Sequence, residues 1–376
     1  MKGGVRSDII AASVISHPLW PKFHKGTLHH RWRIKDDLEF QAFCDSLSPP
    51  DRDGFFESPN FLPGFRTCTT ATMAVDMLVD GFKGFPRSLH SDADFEALAK
   101  SPLYSSVAAA YHHSAAIELD ADIAMRVRLR IKEEEILCHS TDTATKGLLI
   151  TPEFMEEMAK KDHQLPPSTL RLFRGSKVRL LRNFHPSRGL CNGTILIVRK
   201  VGRHHIEAQI LSDTEFNGNI EILFRFKFDV ETKAISFSRV QFPIASAFAG
   251  TVHRFQGQSV PHQSQLLLDQ RRNPFCHGQA YVAMSRGRNS RQIIIITSPG
   301  VNNMKCLNYK ELLFGQHNPP PNNNVNLQIE EQEEDSFQDF SIPPEETVHV
   351  ASPPFEGMHP LSAANLDDVD PAYDEV

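Results

Sequence analysis

Residues 264–297 read SQLLLDQRRNPFCHGQAYVAMSRGRNSRQIIIIT, and they decide the fold class. LLLD and IIII are short, unbroken apolar runs, the pattern of strands covered on both faces. Between them GQAYVAMSRG reads as a helix. Strand, helix and strand in that order predict a right-handed crossover within a parallel sheet. The expectation is therefore an α/β fold. Just upstream, IASAFAGTVHRFQG (244–257) reads as a helix that stops at Gly257.

Further back the period changes. LRLFRGSKVRLLRN (170–183) alternates as two strands around a turn at Gly175. Asn192-Gly193 is a strong turn signal before the apolar TILIVRKV. HHIEAQIL (204–211) and EILFRFKF (221–228) add two strand-like runs, so a small all-β module is expected here. The front of the chain is less sharply patterned. RSDIIAASVI (6–15) reads as a short helix with Ser7 at its N-cap. Residues 48–70, rich in Pro, Gly, Asp and aromatics, read as irregular. DADFEALAKSPLY starts a helix at Asp92 that breaks at Pro102, and 105–137 is helical in composition.

Charge divides the chain unevenly. Residues 316–376 hold 14 Asp and Glu with no Lys or Arg, which leaves 40 basic and 32 acidic side chains before them, a net of +8. A basic body suits a polyanion partner. The tail, with its PPPNNN and EEQEED runs, is expected to be disordered. No run of about 18 apolar residues occurs, and MKGGVRSDII lacks the apolar core of a secretory signal. The six cysteines show no C-x-x-C spacing and suit reduced thiols. No metal site is expected. The pairs His29-His30, His112-His113 and His204-His205 lack HExxH or C-x-x-C partners, and adjacent strand residues point to opposite faces. G-x-S-x-G is absent too, which leaves a nucleophilic hydrolase unsupported.

Two helix ends carry the functional signal. One holds His253, Arg254 and Gln256 before Gly257. The other closes on Ser285-Arg286, where a cation is favoured by the helix dipole alone. Together, AFAGTVHRFQGQSV, HGQAYVAMSRGRN and IIIIT resemble the last two motifs of the Pif-family 5′-to-3′ DNA helicases. Thr251 to Gln258 matches a Thr-x-His-Lys-Ser-Gln-Gly-Gln motif, and Tyr281 to Arg286 a Tyr-Val-Ala-Leu-Ser-Arg motif. LPPSTLRLFRGSKVRLLRNFHPSRGLCNGTILIV resembles the small β-barrel insertion of the family, above all of its Helitron-transposon branch. GVRSDIIAASVISHPLWPKFHKGTLHHRWR resembles the approach to the fourth motif and gives Arg33 its arginine position. Ordered blocks are far more specific than any one of them.

The resemblance implies two RecA-like domains that clamp ATP and Mg2+, the second supplying arginines against the γ-phosphate. It makes Arg286 the principal such arginine and Arg33 the second. Gly257 then lets backbone approach the nucleotide, and Gln256 couples that event to the DNA groove. His253 and Arg254, with Arg179, Arg182 and Arg188 of the β module, are the implied contacts to single-stranded DNA. Arg288 reads as solvent-facing. The implied division is 1–34 as a remnant of the first RecA-like domain with the fourth-motif region, and 35–164 as the first part of the second. The barrel insertion follows at 165–240, the late motifs at 241–300, and a linker with the acidic tail at 301–376. Implied roles are DNA repair, recombination, telomere maintenance or Helitron transposition, in the nucleus and away from membranes.

Departures from the family pattern are specific. No Gly is followed by Lys, so the phosphate loop is missing, as is an apolar strand ending in Asp-Glu. Phe255 replaces Ser, Arg31 replaces Asn, and Leu119-Asp120 stands where Thr-Asn is expected. The expectation is a chain inactive on its own, completed by another chain that supplies the first domain. The rival expectation is a non-catalytic module that binds single-stranded DNA.

Overall fold

The apolar runs of 266–269 and 293–296 are buried throughout. In the computed structural model they lie side by side at the centre of a parallel sheet. The structure describes residues 6–23, 32–82, 85–144, 151, 165–231, 236–310 and 312. The expected disorder of 316–376 and the position of Arg31 lie outside these residues.

Helices α1 (Arg6–Ala11) and α2 (Leu38–Ser46) precede strands β1 (Gly54–Glu57) and β2 (Arg66–Cys68). Next come α3 (Ala71–Asp80), α4 (Asp92–Ala99), α5 (Pro102–Ser105), β3 (Val107–Ala110) and α6 (His113–Ile131). A β-rich stretch begins with β4 (Ile136–His139), β5 (Thr141–Ala144), β6 (Thr169–Leu172) and β7 (Lys177–Leu180). It continues through β8 (Ile195–Val201), β9 (His205–Leu211), β10 (Ile220–Phe224), β11 (Phe226–Glu231), β12 (Ser236–Gln241) and β13 (Ile244–Ser246). The chain then returns through β14 (Gly250–Thr251), β15 (Leu266–Asp269), α7 (Gln279–Met284), β16 (Ile293–Ile296) and β17 (Lys305–Asn308).

The central sheet has the order β14-β3-β15-β16-β2 and is parallel throughout. Alternation sends Leu266, Leu268, Ile293 and Ile295 into one core with α2 and α7. Leu267, Ile294 and Ile296 face the opposite core with α3 and α6. Each such side chain, fully buried, contributes about 1.5–3 kcal/mol. Helix α6 presents Leu119, Ile123, Val127 and Ile131 to that core at four-residue spacing.

The β module is an open five-stranded antiparallel sheet, β10-β9-β8-β7-β13, beside the smaller sheets β11-β12-β5 and β4-β6. Among the described residues its pairing does not close into the expected barrel. The strands on either side of Gly175 are present, but β6 pairs with β4 while β7 pairs with β8 and β13. Gly175 has φ +96°, and a Cβ there would press on Ile131, Leu89 and Leu98 at 3.0–3.2 Å. The Tyr104 hydroxyl donates to its carbonyl. The turn thus pins the β module to the α/β body, where only glycine fits.

Several local expectations are corrected. The run 244–257 is not a helix: it forms β13, β14 and a 3₁₀ turn, Val252–Phe255. Parallel pairing of Gly250 and Thr251 with Ala109 and Ala110 overrides its helical periodicity. EILFRFKF is two strands in different sheets, parted at Arg225, whose guanidinium donates to the His139 carbonyl at 2.7 Å. Ser7 lies inside α1. Helix α4 is capped by Ser91 with a capping box to Asp94, and Pro102 opens α5. The irregular stretch 48–70 contains β1 and the edge strand β2, and 105–137 holds two strands besides α6.

Candidate functional site

The residues of the two signal-bearing segments settle at opposite ends of the central sheet. At the amino-terminal ends of its strands, the chain beyond α7 carries Arg286. Its Nε donates to the Val282 carbonyl (2.9 Å), Nη1 to the Gln258 carbonyl (3.0 Å) and Nη2 to Ser285 Oγ (2.9 Å). Arg33, 252 positions away in sequence, donates to the Ser285 carbonyl at 3.0 Å. Burial, and then the neighbouring Arg33 charge, hold the Arg286 guanidinium below its ordinary value. Two cations expected from separate sequence blocks are therefore neighbours, and both are partly exposed.

Asp37 fastens this arrangement. It caps α2 through the Phe40 N–H (2.9 Å) and accepts from the Ser290 N–H (2.9 Å) and hydroxyl (2.8 Å). Burial alone would raise its pKa, but the bonds from Ser290 and Phe40 outweigh burial and hold it below the usual carboxylate range. Arg288 is not simply solvent-facing, since its Nε donates to the Val260 carbonyl at 3.0 Å. Gly257 has φ +83° with nothing within 4 Å of an added Cβ. It adjoins Gln258, whose carbonyl Arg286 holds, so an open backbone approach lies beside the arginine pair. Gln256 is exposed.

A second cluster forms where β7 and β13 meet the 3₁₀ turn. Asp120 accepts from the Ala249 N–H at 2.8 Å. Burial raises its carboxyl, against the opposing bonds from Ser246, Ala249 and Phe248 and the charge of Arg254. Around it stand Lys177, Arg179 and Arg254. Burial pushes Lys177 down to about 8, with Asp120 pulling the other way. Arg179 is lowered to about 10 by burial and then by Arg254. Its Nε is shielded from solvent and, among the described residues, without a hydrogen-bond partner. Arg254 folds back over Gly250, where a Cβ would meet Nη1 at 3.1 Å. Arg179 and Arg254 thus come together, while Arg182 and Arg188 do not join them. Arg182 lies over the rings of Phe226 and Phe228 at 4.9 and 5.4 Å. Arg188 pairs with Glu221 at 2.8 Å.

The carboxyl-terminal ends of the strands hold residues that motif reasoning passed over. Gln279, 2% exposed, accepts the Phe275 N–H at 3.1 Å. It donates to the Tyr111 carbonyl at 3.3 Å and faces His253 Nδ1 at 3.5 Å. Its position at the first residue of an otherwise apolar helix was the available signal. His253 itself is exposed. Among the described residues no three His, Cys, Asp or Glu side chains come together as a metal site. No described helix is long and apolar enough to cross a membrane.

The molecule is thus of the α/β class, a five-stranded parallel sheet with an arginine pair at one end and a joined β module. Residues 153–201 match the family model described as DNA helicase Pif1, 2B domain. The human ATP-dependent DNA helicase PIF1 is 33% identical over 138 residues, 36% of this chain and 20% of that protein. The rat ATP-dependent DNA helicase PIF1 is 30% identical over 178 residues, 46% of this chain and 26% of that protein. The chain is therefore similar to the Pif1 helicases, and its matches span 20–26% of these relatives' length. Among solved structures, the Pif1 helicase from Candida albicans gives a TM-score of 0.49 at 18% identity, covering 80% of this chain and 62% of that one. Pif1 from Bacteroides in complex with ADP-AlF3 and single-stranded DNA gives 0.45 at 19%, covering 74% and 53%.

Proposed function

We propose that this chain supplies the second RecA-like part of a Pif1-family DNA helicase, including its arginines toward the γ-phosphate of ATP. The adjacency of Arg33 and Arg286 carries the reading. Two guanidiniums, each anchored through backbone carbonyls with exposed area to spare, match the planar, bidentate chemistry of phosphate oxygens. Their mutual repulsion is relieved when an anion arrives. The open left-handed backbone at Gly257 leaves room for that anion beside Gln258. ATP with Mg2+, when bound, supplies the transferable phosphoryl group. No described carboxylate cluster of this chain would hold the metal. The chain's own part is to bind phosphate charge, orient it and exclude water.

The β module, in this reading, is the inserted 2B-type domain, and His253, Arg254, Arg179, Arg182 and Arg188 serve the single strand. Asp120 then acts as an internal counter-charge to the cations around it. The partners are single-stranded DNA and a chain carrying the first RecA-like domain. The cellular roles are those of the family: nuclear DNA repair, recombination, telomere maintenance or Helitron transposition. A specific observation favours a second reading, a strand-binding module without turnover: no Gly-Lys pair exists in the sequence. A phosphate-release assay stimulated by single-stranded DNA separates them. Fusion to a related first domain restores turnover under the helicase reading. Strand binding without turnover, even in a folded fusion, establishes the module.

A further inference from the structure

Three rings gather at the carboxyl-terminal ends of the central strands. Phe275 lies in the loop after β15 and is 54% exposed. His112, following β3, approaches it with ring centroids 5.0 Å apart and a tilt of 49°. His253, following β14, stacks near it at 6.1 Å and 29°. A lone exposed phenylalanine means little. This one is held in place. Its N–H is bound by the buried Gln279, which also ties down Tyr111 and faces His253. His112 Nε2 donates to the Asn273 carbonyl at 2.9 Å, fixing the loop from the other side. The ordering cost of the rings is met in folding, so a flat ligand meets a prepared surface.

Charge selects the ligand. Arg272 sits exposed in the same loop, next to Arg271, whose charge is paired with Asp269 at 2.6 Å, and the half-buried Arg254 follows His253. Arg272 is braced on Ser114 at 2.6 Å. A flat apolar ring flanked by two imidazoles and beside an exposed arginine suits an unpaired nucleobase whose phosphates run past Arg272. We propose that Phe275, flanked by His112 and His253, is a stacking platform for one base of a single strand, with Gln279 as its positioning residue. The proposal rests on the strand-binding reading above and adds to it a contact that depends on bases instead of charge.

The test uses the full 376-residue chain and a fluorescein-labelled oligothymidylate, read by anisotropy at two salt concentrations. Phe275→Ala should weaken binding about 5- to 150-fold, the range of one lost stack, with an unchanged salt slope. An oligomer of abasic sites should bind both proteins alike. Phe275→Trp should bind as well as the parent, with indole emission quenched by the oligomer. Gln279→Ala in the Phe275→Trp background should diminish that quenching, a readout that loss of stability alone does not move. Equal binding of the parent and Phe275→Ala overturns the platform while leaving strand binding intact. A loss accompanied by a shallower salt slope, or an equal loss on the abasic oligomer, overturns it as well, because the residue then acts through charge or fold. A parent chain that binds no single strand overturns both the platform and the reading beneath it.

Discussion

At the level of single residues, Arg286 and Arg33 are neighbours of like charge, an arrangement that stability alone does not favour. In a helicase completed by a first RecA-like domain, Arg286→Ala should lower ATP turnover about 10³- to 10⁵-fold and leave strand affinity nearly intact. The exposed Arg291, changed to Ala, should cost little and serves as the control. If Arg286 were only a helix-end charge, its loss would cost about 0.3–1 kcal/mol of stability with turnover unaltered. Lys177 gives a second outcome, in pH. Burial lowers its folded value to about 8, while an unfolded lysine titrates near about 10.4. Between those values the unfolded chain holds more protons, so this residue makes stability rise with pH there. Lys177→Met should therefore raise stability at neutral pH, and its advantage over the parent should shrink between about pH 8 and pH 10. Urea denaturation of both proteins across that range measures it. A constant difference would show that Lys177 keeps its charge throughout.

Among elements, α2 depends on a single carboxylate that serves two masters. Asp37 caps the helix and grips Ser290. Asp37→Ala should cost about 0.5–2 kcal/mol, the range of a lost cap, and more where the Ser290 bonds go with it. Because its folded pKa is depressed, its contribution is present above the ordinary carboxylate value and lost as pH falls through the folded one. The gap between parent and variant in urea denaturation should then narrow toward acid. Elements differed in how much of them the sequence disclosed. LLLD and IIII announce themselves because both faces of each strand are covered, which leaves an unbroken apolar run. Asn192-Gly193 announces its turn through local backbone preference, and Gly193 has φ +90°. The strand Arg66–Cys68 is hidden because only partners distant in sequence, Ile294 to Ile296, make it one. The same holds for Gly250-Thr251, where spacing suggested a helix and pairing with β3 imposed a strand. The arginine pair was legible as two motifs. The Gln279 hub was less so, because its partners Phe275, Tyr111 and His253 come from three separate segments, and a polar residue at the head of an apolar helix does not name them.

For the molecule as a whole, the 376-residue chain should bind single-stranded DNA and hydrolyse no ATP above background. The first follows from the basic body and should weaken steeply with salt as counterions are released. The second follows from the missing Gly-Lys loop. Turnover of about one per second, within the usual kinase range, would contradict it. Titration at two salt concentrations and a phosphate-release assay check the two halves. The six residues of α7 carry a further consequence. Gln279, at one end, organises the ring cluster, and Arg286 stands two residues beyond the other. The helix works as a ruler with no slack, since each residue adds about 1.5 Å and about 100° of rotation. One alanine inserted after Tyr281 would leave composition, charge and both functional side chains in place. It would nonetheless swing Arg286 out of line with Gln258 and Arg33. Length within this segment is therefore held more strictly than residue identity, and a single insertion should be more damaging than most substitutions in it.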